Sequence, residues 1–222
     1  MFIHNVKIGI LVLFLVTLTM SRLYAEDCPN MANAEFFDGG QKCRCKIGYI
    51  ENQNRCVEFN LGTAQERALE MRNAERGNNC KAMSRIYKQF ARAVGFNSKE
   101  LATYAGKILS KDGVSFLVLS APEYAVIFGD SGFKPIYQQP TKNPPPANQV
   151  RHFTAYFVAG IFSAKGMLSE PEYAGLLAEW RDKGEQADID LGNVAAALGR
   201  QAAGSLHMME NLDVSIQSQI CR

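Results

Sequence analysis

The chain has 222 residues, 47% of them hydrophobic and 21% charged, with a formal net charge of +2 and six cysteines. That apolar content excludes a disordered chain, and a mean hydropathy of −0.14 excludes a multispanning membrane protein. The near balance of charge argues against a nucleic-acid partner, which calls for a strong basic excess.

Residues 1–25 carry Lys7, then an apolar run from Ile8 to Met20, then Leu23-Tyr24-Ala25 ending in a small residue. This is the pattern of a secretory signal peptide, with cleavage expected after Ala25. The run is shorter than the roughly 20 residues that span a bilayer, so no stable membrane span is expected after cleavage. Of the 24 basic residues, Lys7 and Arg22 lie in this segment, which leaves 22 against 22 acidic ones. The expected address is therefore secreted or periplasmic, an oxidising compartment where cysteines form disulfides.

Four cysteines, Cys28, Cys43, Cys45 and Cys56, fall within residues 26–59. So short a segment buries little core and needs covalent staples. Cys43 and Cys45 are two apart and point the same way on an extended strand, each toward its own partner. Four cysteines allow three pairings. The run Cys43-Arg44-Cys45-Lys46-Ile47-Gly48-Tyr49, closing at Cys56, resembles the C-terminal half of an epidermal-growth-factor-like (EGF-like) module over residues 28–57. The resemblance implies the bridges Cys28–Cys43 and Cys45–Cys56. One cysteine pair of that family is missing here. Zinc is disfavoured because C-x-C is not the usual ligand spacing and secretion favours oxidation, so no metal and no cofactor is expected.

Residues 60–222 read as a multi-helix globular domain, which makes the fold mainly α behind a small stapled module. Thr63/Glu66, Asn97/Glu100, Ser120/Glu123 and Ser169/Glu172 each place a capping side chain three residues before Glu, the capping-box pattern of a helix start. Helices are expected over 64–76, 80–94, 98–110, 121–128, 149–164, 170–182, 189–203 and 205–218. Met83, Ile86, Tyr87, Phe90 and Val94 form one apolar stripe; Leu101, Tyr104, Ala105, Ile108 and Leu109 form another. Gly95, Gly113, Gly129 and Gly204 stand where helix ends favour positive φ. The run Val114–Leu119 fits either a strand or a linker. Residues 130–147 are proline-rich and read as an extended linker, or as a binding lid. The remaining cysteines, Cys80 and Cys221, are expected to pair and clamp the domain.

No H-E-x-x-H, G-x-S-x-G, Walker A or G-x-G-x-x-G motif occurs. Ser131, in Gly-Asp-Ser-Gly, lacks the β-barrel context that gives this motif meaning. Glu170, Glu172 and Glu179 could pair as glycosidase carboxylates, yet Glu172 is explained by capping and Glu179 by a solvated face. The richest constellation is Arg151-His152 on one helix and Asp188, Asp190 and Asn193 at the start of another. A carboxylate that orients one imidazole nitrogen frees the other for general-base work, with Arg151 or Asn193 stabilising developing charge. Against this, Asp188 makes a good N-cap and His152 a good packing residue. Two functions follow. The first is a binding or interaction protein that engages a protein or cell-envelope glycan. The alternative is a hydrolase of cell-envelope material that uses His152 with Asp188 or Asp190.

Overall fold

The computed structural model describes residues 28, 31–37, 42–110, 129–138, 149–183 and 186–222. The expected leader 1–25, the run 114–119, the helix 121–128 with its cap at Ser120, Gly113, and the loop beyond residue 138 lie outside the described residues. So does the side chain of Glu179.

The chain begins with two antiparallel hairpins. Strands β1 (Ala34–Phe37) and β2 (Lys42–Cys45) pair with Ala34 opposite Cys45, and β3 (Tyr49–Asn52) and β4 (Arg55–Glu58) with Tyr49 opposite Glu58. Neither two-stranded ribbon is stable alone in water. Disulfides Cys28–Cys43 and Cys45–Cys56 staple them, the same pairs the resemblance implies.

Eight α-helices follow among the described residues: α1 (Leu61–Ala74), α2 (Asn79–Ala93), α3 (Ser98–Leu109), α4 (Gln149–Ala164), α5 (Glu170–Lys183), α6 (Gln186–Gly204), α7 (Leu206–Glu210) and α8 (Leu212–Ile220). The mainly helical fold is as expected, with differences at the ends. Helix α1 starts three residues early, because Asn60 is the cap and Thr63 is the residue that closes the box back onto it. Asn97 and Ser169 cap α3 and α5 as their spacing to Glu predicts. The final helix is two, broken at Asn211. Gly95 and Gly129 hold positive φ, but Gly204 does not; it is the last residue of α6.

Helix α4 is the centre of the body. Val150, Phe153, Tyr156, Phe157 and Ile161 bury most of its circumference against the surrounding helices. The α2 stripe meets it through Tyr87, whose ring packs edge-on to Phe153 and Phe157 and whose hydroxyl donates to Thr154 Oγ1 at 3.1 Å. Burying a phenol is tolerated because that partner satisfies it.

The stapled hairpins are not a free arm. Ile50 of β3 is 2% exposed and belongs to the helical core. Arg67 of α1 reaches Glu51 at 3.0 Å, Arg92 of α2 donates to the Cys45 carbonyl and to Glu35, and Gly48 N–H donates to the Ala93 carbonyl.

Residues 130–138, the described part of the 130–147 run expected to be extended linker or lid, are folded and pinned. Pro135–Tyr137 form one 3₁₀ turn, Phe133 bridges Cys221, and Lys134 donates from Nζ to the Ser218 and Gln219 carbonyls. A lysine there satisfies orphan acceptors at the negative end of α8. Cys80 bonds Cys221 across a separation of 141 residues, the pairing expected.

Candidate functional site

Helices α4 and α6 approach so closely that glycines are required. A Cβ on Gly160 would lie 2.2 Å from the Ala196 carbonyl oxygen, and one on Gly199 would lie 2.1 Å from that of Phe157. Gly192 sits under the Tyr156 ring, where a Cβ would come within 2.5 Å. His152, Tyr156 and Gly160 thus meet Asp188, Gly192 and Ala196 in ascending order, one contact per turn, so the helices run in the same direction.

The first of these contacts is the His–Asp pair. His152 Nε2 lies 3.8 Å from Asp188 Oδ2, a charge-pair distance rather than a hydrogen bond. The Asp188 side chain is 6% exposed and that of His152 36%. Burial pushes the imidazole below its ordinary range; Asp188 opposes this and Arg151 adds to it. A neutral imidazole keeps a lone pair at neutral pH, as a general base requires.

Asp188 is not the N-cap the sequence suggests. Helix α6 begins at Gln186, so Asp188 lies inside the first turn, where the helix dipole favours its charge. Asp190, two residues on, faces a different direction: Gln186 Nε2 donates to it at 2.8 Å. Burial raises the Tyr137 hydroxyl above its ordinary value, and the negative charge of Asp190 adds to that. The two candidate aspartates are therefore divided between His152 and the 3₁₀ turn. Asn193 is exposed on α6. Gln149, fully buried in the first turn of α4, donates to the Tyr137 carbonyl at 2.5 Å and ties that turn to the His–Asp helices.

The other sequence candidates have structural tasks. Ser131 accepts from Asn79 N–H and donates to the Gly77 carbonyl. Glu172 accepts from the Ser169 hydroxyl and backbone N–H, which hold its carboxyl below the ordinary range. Among the described residues no group of three or more His, Cys, Asp or Glu is placed to hold a metal ion.

The sequence did not disclose a groove that lies elsewhere on the body. An open groove of about 440 Å³ lies where the α2–α3 turn meets the α6–α7 junction, lined by Phe96, Lys99, Lys165, Ala202, Leu206 and Met209. Such grooves join residues over a hundred positions apart, and only the helix-end signals around Asn97 and Ser205 mark its borders in the sequence. Phe96 holds φ of +60°, with its N–H on the Ala91 carbonyl. Next to it, Ile47 of the stapled module lies over Gly95.

These features define a mainly helical protein with a disulfide-stapled pair of hairpins built into one side. Comparison with protein-family models, with curated proteins and with solved structures finds no match.

Proposed function

We propose that the chain is a secreted or periplasmic binding protein, with a truncated EGF-like module and the helical body forming one recognition surface. The carrying observation is the docking of the module. Ile50 enters the helical core and Arg67 and Arg92 hold the hairpins, yet Ile47 stays 59% exposed beside the groove. A rigid composite surface binds with little ordering cost. Three disulfides fit an oxidising compartment, and no helix among the described residues is long and apolar enough to cross a membrane. The partner is a protein or envelope glycan.

The His152–Asp188 separation favours a second reading, a hydrolase of envelope material in which His152 activates water and Asp188 balances the imidazolium. One experiment separates the two. Purified protein is incubated with isolated cell-wall glycan and with an envelope protein extract, and bound protein and released products are measured together. Saturable retention without product supports the binding reading. Product formed by wild type and lost in His152→Ala would replace it with the hydrolase.

A further inference from the structure

We infer that the groove between the α2–α3 turn and the α6–α7 junction receives an acidic segment of a partner protein that carries an apolar side chain. This rests on the binding reading and names its site. Two ammonium groups stand on the groove's lining: Lys99 in the first turn of α3, and Lys165 just past the end of α4. Both are exposed, and neither pairs with a carboxylate among the described residues. The groove lining contains no acidic residue. Five other cations are held by carboxylates: Lys81 and Arg85 share Glu75, Lys88 pairs with Asp213, and Arg44 and Arg92 share Glu35. Unpaired like charges at one concavity attract an anion.

The helix end itself is not the attractor. Asn97 Oδ1 already accepts from the Lys99 and Glu100 N–H groups, so the lysines carry the charge.

Between the lysines the lining is mixed, with Asn97, Ser98 and Ser205 set beside apolar side chains. Phe96, Ala202 and Met209 supply its apolar part, and Leu206 is 60% exposed at its edge, with Ile47 close by. A partner's apolar side chain can pack on Leu206 and Phe96 while its carboxylates meet the lysines. The shape is open rather than enclosed, which suits an extended or helical peptide laid across it.

The test uses the full mature chain and a fluorescein-labelled peptide that alternates Glu with Leu and Phe, with its Gln counterpart as control. Fluorescence anisotropy should show the Glu peptide binding and the Gln peptide binding about tenfold more weakly. The double variant Lys99→Glu/Lys165→Glu, both positions exposed, should lose about tenfold in affinity, and Leu206→Ser several-fold. Raised salt should weaken binding of the wild type far more than of the double variant. Undiminished affinity in the double variant overturns the groove. Binding of three-to-one phosphatidylcholine–phosphatidylglycerol vesicles through the same lysines, with no peptide binding, overturns the protein partner in favour of a lipid surface. Retention on envelope material that survives the charge reversal would sink the groove while leaving the binding reading intact. Loss of all retention in wild type would sink that reading itself.

Discussion

His152 gives the site a pH dependence. Its folded-state affinity for a proton is depressed by burial, with Arg151 acting in the same sense against Asp188. The unfolded chain therefore binds this proton more readily than the folded one below the ordinary histidine range, near pH 6.5. Stability associated with this site is intact above that pH and falls as the pH drops toward the lowered folded value. Urea unfolding at pH 7.5 and pH 5 should show a loss on acidification that is smaller in His152→Gln. An equal loss in both proteins would mean that the imidazole is free to charge in place. The adjacency of Arg151 and His152 is plain in the sequence. Which aspartate meets the imidazole is not, because that depends on where α6 begins. The start at Gln186 rather than at residue 189 turns Asp188 toward His152 and Asp190 toward Tyr137.

Among the elements, the α4–α6 pair decides the architecture. Its glycines are ordinary helix weakeners by composition, each costing about 1 kcal/mol relative to Ala in a helix interior. Here they permit backbone approach. Gly160→Ala gains that propensity but drives a methyl into the Ala196 carbonyl, so the helices must part. We expect a net destabilisation of about 3 kcal/mol, together with a changed His152 titration as Asp188 moves away. Gly175 in α5 has nothing within 4 Å of its would-be Cβ. Gly175→Ala should therefore stabilise by about 0.5–1 kcal/mol. Thermal and chemical denaturation of the two variants gives opposite signs if this account holds; two stabilised proteins would refute the close packing. Helix existence was legible because the caps at Asn97 and Ser169 and the stripe on α2 are local patterns. The role of Gly160 was not, since its partner is 36 positions away.

For the whole molecule, the Cys80–Cys221 bond closes the body. It joins the start of α2 to the residue after α8, beside the pinned turn 129–138. A closed loop of 141 residues contributes roughly 4–5 kcal/mol in the chain-entropy model. Cys80→Ala/Cys221→Ala should lower Tm by roughly 10 °C, read by circular dichroism. The fold should survive, because Lys134 and Arg222 still hydrogen-bond across the same seam. A Tm unchanged by the double variant would show that the seam alone holds the ends together. The same seam explains why a glycine- and proline-bearing segment is structured. Gly132 takes φ of +81° against Asn78, and its carbonyl accepts from Arg222 N–H.

Local chemistry is enough to read the helical class, most helix starts, the two apolar stripes and the need for staples in a core-poor segment. Each depends on neighbours within a few residues, or on an apolar area too small to sustain a fold. The docking of the hairpins through Ile50, the choice of Asp188 over Asp190, and the groove between Lys99 and Lys165 belong to the tertiary structure alone. They depend on distances between residues far apart in the chain, set by how closely α4 and α6 pack and by where the helices turn.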